Sequence, residues 1–368
     1  MQILQIANGY LGSRLYGDLF AALEELGIED AVYVPLNRKT APPPLNSKNT
    51  VFSPCFSNLD RVLFFPKQRR ILQDIENRSL HQGPSMVHAH TLFSGGYAAS
   101  QLRRRYGLPY IVTVRNTDVN VFFKQTPYLR KTGLHIMETA ERIVFLSPAY
   151  LDQVFSRYIP TARQETLRSK CLVIPNGIAP LFYETPPMPR AVPGTPLRLI
   201  YAGEISSNKN LETTVRATEL LRREGMDVHI LVVGNIREET YHPLLEGIAF
   251  LEYHPLCPQP ELIRYLRSAD IFVMPSHTET FGLVYAEAMS QGLPILYTRG
   301  QGFDGQFPDG TVGYAVSDKD PAELAEKIKA VLERYSDLSA NCLKLVGKFN
   351  WEKIAAKYLE IYQSCGRR

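Results

Sequence analysis

The sequence predicts an α/β protein made of two doubly wound domains in tandem. Three observations carry this. Short apolar runs of buried-strand type alternate with amphipathic stretches along the first half, the signature of βαβ units and a parallel sheet. That alternation stops at a proline-rich stretch, APLFYETPPMPRAVPGTP at 179–196, and then restarts. The length, 368 residues, is about twice that of a typical single domain.

The strands of the first half are read in order from QILQIA, DAVYVP, SMVHAH, PYIVTV, RIVFLS and CLVIP, each dominated by aliphatic or aromatic residues and unbroken by glycine. Between the first two, SRLYGDLFAALEELG has helical periodicity and closes on Gly27. Residues 36–58, with prolines at 42–44, read as an irregular surface loop. Beyond the linker come the strands LRLIYAG, VHILVVG, IAFLEY, DIFVMPS and LPILYT. Helices are expected from about Asn208 to Arg223, around PELIRYLRSA, after MPSHTET, and from Pro321 to Gly347. The segment NWEKIAAKYLEIYQS predicts a terminal amphipathic helix. The domains are thus 1–178, joined by a helix of about 350–368, and 197–349, with 179–196 as linker.

Composition is that of an ordinary globular protein, 45% hydrophobic and 21% charged. No apolar run reaches the roughly 18 residues of a membrane span, and MQILQIANGYLGS reads as a buried first strand rather than a signal peptide. Five scattered cysteines argue against a disulfide framework or a zinc site, and for a reducing cytoplasm. The net charge of +4 hides an asymmetry: residues 1–178 carry 21 Lys+Arg against 13 Asp+Glu, the remainder 20 against 24. The basic half fits either an acidic partner or a merely solvated basic face. No nucleic-acid recognition motif is visible, and nucleic acid is not expected as a partner.

In open parallel sheets ligands sit beyond the carboxyl ends of the strands. The chemically suggestive residues fall there: 8–13, 88–91, 115–118, 203–210, 234–236 and 276–287. Two such domains facing each other make a cleft. In SHTETFGLVYAEAMSQGLP a helix is expected to start after Thr280, capped by its hydroxyl, leaving the N–H groups of Phe281, Gly282 and Leu283 as an anion site. Glu279 precedes that helix and Glu287 lies on its second turn. A carboxylate suits the adjacent diol of a ribose or sugar ring. Helix-dipole stabilisation by Glu279 and a solvated Glu287 account for the spacing as well.

The segment MPSHTETFGLVYAEAMSQGLPIL resembles the donor-binding segment of retaining glycosyltransferases of family four, with their E-x7-E element at Glu279 and Glu287. YAGEISSNKNLE is similar to the family's G-R-x-x-x-x-K loop, with Gly203 and Lys209; VIPNGI matches the segment ending the first domain; TVRNTD stands where T-x-H-G-T-D is common; and FNWEKIAAKYLEIY resembles the terminal crossing helix. The resemblance covers nearly the whole chain. It implies the GT-B fold, two Rossmann-like domains facing across a cleft, and transfer of a sugar from a nucleotide diphosphate sugar with retention of configuration. UDP is the favoured carrier, and a glycan or lipid-linked acceptor in surface polysaccharide synthesis the expected recipient. It implies that Glu279 and Lys209 are catalytic, that Glu287 holds the ribose and Glu279 the donor sugar, and that the N–H groups at Phe281, Gly282 and Leu283 meet the sugar and diphosphate. Lys209 neutralises the leaving diphosphate, Gly12 lets it approach the backbone of the other domain, and Gly203 joins the donor-binding set. No metal or other cofactor is implied, and the chain shows no convincing D-x-D element.

Two positions depart from the family. Glu204 stands where an arginine usually faces the phosphates; it either turns to Lys209 or another base, or a cation such as Arg299 or Arg14 fills the role. Arg115 replaces a histidine on the acceptor or sugar side, where Asp118 and His90 also fall; it contacts an acidic acceptor or pairs with Asp118. His88 and His90 alternate at a strand end, in the core or lining the cleft rather than on metal. His277 fits a sugar contact or helix-entry packing. The aromatic and basic stretches DRVLFFPKQRRIL and NVFFKQTPYLRKTG fit peripheral contact with anionic membrane at the inner face of the cell membrane, or ordinary core aromatics. The rival functions are an inactive nucleotide-sugar-binding subunit and a GT-B epimerase or phosphorylase.

Overall fold

The computed structural model describes residues 1–12, 14–43, 49–58, 60 and 63–366. The chain divides into two compact units, Met1–Leu146 with Leu151–Pro175 and Trp351–Arg368, and Ser147–Tyr150 with Asn176–Asn350.

The first unit holds seven parallel strands: β1 Gln2–Ile6, β2 Glu29–Asn37, β3 Thr50–Phe56, β4 Met86–Ala89, β5 Tyr110–Val114, β6 Arg142–Phe145 and β7 Cys171–Val173, in the order β3-β2-β1-β4-β5-β6-β7. β1, β4 and β5 are buried almost throughout because helices cover both faces, which is why their sequences run apolar instead of alternating. The helix Leu15–Glu25 ends where the sequence predicts, with Gly27 at φ +77° accepting the left-handed conformation. It packs against the terminal helix Trp351–Cys365, which belongs to this unit although it lies at the far end of the chain.

The second unit repeats the plan with β8 Leu197–Ala202, β9 Val228–Val233, β10 Leu251–His254, β11 Ile271–Met274, β12 Ile295–Thr298 and β13 Gly313–Val316, all parallel, in the order β10-β9-β8-β11-β12-β13. One core runs beneath it from Leu199, Val273 and Leu296 to Ile328 and Leu338. The proline-rich stretch 179–196 lies within this unit. The Arg190 guanidinium is spent on the carbonyls of Ala269 and Arg267, and the N–H of Gly194 on Asp270 at 2.9 Å.

Two strands escaped the sequence reading, and both are edges. β3 lies inside the segment expected as an irregular loop, of which 44–48 fall outside the described residues. Its Pro54 is tolerated because an edge strand leaves some backbone groups unpaired anyway. β13 is four residues long, and Gly313 at its start hides the pattern. In each sheet the strand order reverses at one place, between β1 and β4 and between β8 and β11. Those switch points are where the loops after the strands diverge and leave room for a ligand.

Candidate active site

The second unit's switch point is built from three loops held together by backbone. The loop after β8 and the loop after β9 are zipped by Ile205 N–H to Asn235 O at 2.8 Å and Arg237 N–H to Ile205 O at 3.0 Å. The loop after β8 then makes a single 3-10 turn, Ser207–Lys209, and passes through Asn210 at φ +57°. That left-handed residue is retained because its amide donates to Pro275 O at 2.8 Å and Asp318 O at 2.7 Å. Asn208 donates to Thr278 O at 3.0 Å and accepts from the His277 N–H at 2.8 Å, stitching this loop to the one after β11. The result aims Lys209 at Glu279, and the two form an ion pair with side chains 22% and 13% exposed. Both residues expected to be catalytic are thus in direct contact.

Glu279 is more than a partner for lysine. Its second carboxylate oxygen accepts the N–H of Thr280 at 3.0 Å and, at 3.5 Å, faces that of Phe281. Its own N–H donates to Gln301 Oε1 at 3.0 Å and its carbonyl accepts from Gly302 at 2.5 Å. A Cβ at Gly302 would lie 2.0 Å from the Thr280 carbonyl carbon, so only glycine fits there. Gln301 and Gly302 were not singled out from sequence; the only hint was their place just past a strand end.

The helix begins at Leu283, later than expected, with Gly282 at φ +75° as its cap residue. Thr280 does not cap it: its hydroxyl is buried without a partner among the described residues, and Glu279 satisfies the nearby amides instead. The N–H groups of Gly282 and Leu283 meet no acceptor among the described residues, as expected for a first turn. The helix is short and apolar, with Tyr285, Ala286, Ala288 and Met289 buried. Glu287 sits partly buried on that helix, and its carboxylate has no hydrogen-bond or ion-pair partner among the described residues. Burial alone pushes its pKa up to about 7. His277 meets Asp318 at 2.7 Å, which makes it part of the loop scaffold.

Glu204 turns away from Lys209. It pairs with Arg237 at 3.0 Å, both side chains well exposed. Arg237 was missed because the pair joins two loops that are 33 residues apart in sequence. Arg299 contacts Glu323 and donates to Ala315 O at 3.1 Å. Arg14 is exposed on the first unit, at the start of the helix Leu15–Glu25.

At the first unit's switch point Gly12 closes a turn through its N–H to Gly9 O at 3.1 Å, and a Cβ added to it would meet nothing. His90 and Asp118, expected on the acceptor or sugar side, are fully buried. Asp118 accepts the N–H groups of Leu92, Phe93 and Arg115 at 2.9, 3.0 and 2.9 Å, tying two loops together; desolvation still raises its pKa to about 6. Arg115 therefore meets Asp118 through its backbone, not as an ion pair; its Nε donates to His90 O at 2.8 Å and its guanidinium lies over Tyr16. His88 lies between Tyr362 at 2.7 Å and Thr113 at 2.9 Å, and His90 contacts Gln5 at 2.8 Å. Burial lowers the pKa of both, that of His88 to about 3. Among the described residues no group of three or more His, Cys, Asp or Glu is placed to hold a metal ion.

Residues 13–180 match the family model described as Glycosyltransferase Family 4, and residues 196–334 that described as Glycosyl transferases group 1. The chain is 28% identical over 316 residues to a D-inositol 3-phosphate glycosyltransferase of Arthrobacter sp. (strain FB24), covering 80% of this chain and 73% of that one. Among solved structures it resembles a sucrose-phosphate synthase from Thermosynechococcus elongatus, with a TM-score of 0.75, 19% identity, and 99% and 98% of the two chains covered. It also resembles the Anabaena protein HepE in complex with UDP-glucose, with a TM-score of 0.70, 17% identity, and 99% and 100% covered.

Proposed function

Because the chain belongs to the glycosyltransferases of family four and has the GT-B fold, we propose that it transfers a sugar from a nucleotide diphosphate sugar with retention and without a metal. UDP is the favoured carrier, as in the HepE complex, and a glycan or lipid-linked molecule in surface polysaccharide synthesis is the acceptor. The observation that carries the donor reading is Glu287. A partly buried carboxylate without a partner is costly, and ribose hydroxyls are donors of the right kind to satisfy it.

The chemistry follows from the charges. The bond between the anomeric carbon and the diphosphate oxygen breaks, leaving an oxocarbenium-like carbon and a departing dianion. The acceptor oxygen attacks from the face the diphosphate leaves, and its proton passes to the leaving phosphate. Lys209 and the N–H groups of Gly282 and Leu283 are fixed positive groups for that phosphate. An ammonium has three donors, so Lys209 can keep Glu279 and still reach an oxygen. Glu279, held by backbone on both sides, accepts from a donor-sugar hydroxyl. The pairing of Glu204 with Arg237 supports this reading, since it gives that carboxylate a partner other than the phosphates.

Thermal unfolding against UDP, GDP, ADP and CMP, each with and without EDTA, tests this. At about a hundred times its dissociation constant a nucleotide adds ~2.7 kcal/mol. One nucleoside diphosphate raises the melting point of the wild type by several degrees, with or without EDTA, and fails to raise that of Glu287→Ala. Equal stabilisation of both proteins by that nucleotide contradicts the assignment.

A further inference from the structure

We propose that Gln301, on the turn after β12, selects the sugar of the donor: its amide NH2 donates to the sugar hydroxyl that the Glu279 carboxylate holds. This rests on the donor reading above and adds to it a residue outside the segment from Glu279 to Glu287.

The turn is ordered by its own hydrogen bonds. Gln301 N–H donates to Thr298 O at 3.2 Å, Asp304 N–H to Gln301 O at 2.8 Å, and Gly300 N–H to Asp304 Oδ2 at 2.6 Å. It is also fixed to the rest of the second unit. The Thr298 hydroxyl donates to Ser276 O at 2.7 Å, and the buried Phe303 ring lies 5.2 Å from that of Tyr285, on the helix that carries Glu287. A side chain on such a turn meets a ligand with little left to order. Main chain aims Gln301. Its Oε1 accepts the Glu279 N–H at 3.0 Å, and the neighbouring Gly302 N–H donates to the Glu279 carbonyl. Because that partner is an N–H, the oxygen end of the planar amide binds it and the NH2 end faces elsewhere. The NH2 group has no partner among the described residues, and the side chain is only partly buried.

The Glu279 carboxylate hangs on the next amide, accepting the Thr280 N–H at 3.0 Å. Gln301 and the carboxylate are therefore held by consecutive residues, whose Cα atoms lie about 3.8 Å apart. Their chemistry is complementary. A carboxylate accepts and an amide NH2 donates, whereas a hydroxyl does both. A sugar hydroxyl that gives its proton to Glu279 has lone pairs left, and Gln301 fills one of them. In the donor reading the ribose and the phosphates are served by Glu287, Lys209 and the N–H groups of Gly282 and Leu283, so what Gln301 adds falls on the sugar. A sugar without that hydroxyl leaves the NH2 unpaired beside Glu279 and is rejected.

Calorimetric titration of the full chain tests this with UDP-glucose, UDP-galactose, UDP-N-acetylglucosamine, GDP-mannose and ADP-glucose. The conjugate that binds wild type most tightly is compared with its own nucleoside diphosphate. Two variants remove the NH2 group in different ways: Gln301→Glu is the same size and keeps an oxygen for the Glu279 N–H, and Gln301→Met is uncharged but gives that oxygen up. Each weakens the sugar conjugate about tenfold more than it weakens the free nucleoside diphosphate. Gln301→Glu keeps the melting point of wild type, because the bond to Glu279 survives. A residue that did no more than support the Glu279 main chain would leave Gln301→Glu binding the conjugate like wild type, and that result overturns the proposal. So does a loss shared equally by conjugate and free nucleotide, and so does a loss in Gln301→Glu that Gln301→Met does not show, which assigns it to the added charge. Wild type that binds none of the nucleotides overturns the donor reading itself, and this assignment with it.

Discussion

At the scale of single residues, Glu287 and the Lys209–Glu279 pair make the sharpest claims. The pKa of Glu287 is raised from 4.5 to about 7, so the fold favours its neutral form. Its contribution to stability is therefore full below about pH 4.5 and is lost as pH rises through 7. Glu287→Gln should raise the melting point by a few degrees at pH 8 and leave it unchanged at pH 4.5, read by calorimetry at both values. The ionised carboxylate accepts ligand hydroxyls more strongly than the neutral acid, so uridine affinity should fall by up to about tenfold between pH 8 and pH 6 in wild type. In Glu287→Gln it should be weak and flat. Uridine is the probe because it carries no phosphate that titrates in this range. Lys209→Ala removes a fixed charge from the leaving group, and kcat should fall roughly a hundred- to a thousandfold with far less change in unfolding temperature. The E-x7-E spacing was legible in the sequence. That Lys209 and Glu279 touch, and that Glu204 is bound to Arg237, was not, because those contacts are made between loops after different strands.

At the scale of elements, the sequence was read well wherever a strand is an unbroken apolar run. Eleven of the thirteen strands seen among the described residues announce themselves as apolar runs, the edges β7 and β10 included, whereas the edges β3, interrupted by Pro54, and β13, opened by Gly313, do not. Helix starts were harder. Thr280 has the right residue type for a cap, but the turn through Gly282 moves the start to Leu283 and the carboxylate of Glu279 takes the amides. Gly282→Ala should therefore do two kinds of harm. A Cβ there meets the Tyr285 ring at 2.4 Å at φ +75°, so the variant should lose on the order of 1–3 kcal/mol in denaturant unfolding. The misplaced N–H groups should also weaken nucleotide binding measured by calorimetry. The terminal helix is tied down by polar contacts as well as apolar ones. Tyr362→Phe leaves His88 without one partner in a fully buried place, and should cost about 1–3 kcal/mol in the same unfolding experiment. His90 and Asp118, expected from sequence on the acceptor or sugar side, both lie at strand ends and are buried. Position along a strand fixes neither how deep a side chain sits nor which amides it serves.

At the scale of the whole molecule, two parallel sheets each reverse their strand order once, and most of the residues that the sequence marked for chemistry follow the strands at those reversals, while Arg115, Asp118 and 234–236 follow the neighbouring strands β5 and β9. Gly12 and the His90 loop follow β1 and β4; Gly203, Lys209 and the segment from Glu279 to Glu287 follow β8 and β11. This much follows from chain topology and was legible because parallel sheets offer ligands one end only. Which sugar and which acceptor are used depends on side chains contributed by loops, and their partners become visible only in three dimensions. The central claim is that the segment after β11 holds a nucleoside diphosphate. The most direct measurement is a crystal structure of the protein grown with UDP. The account predicts ribose hydroxyls donating to the Glu287 carboxylate and diphosphate oxygens on the N–H groups of Gly282 and Leu283 with Lys209 beside them. UDP bound elsewhere, or bound here with its ribose facing away from Glu287, would contradict it.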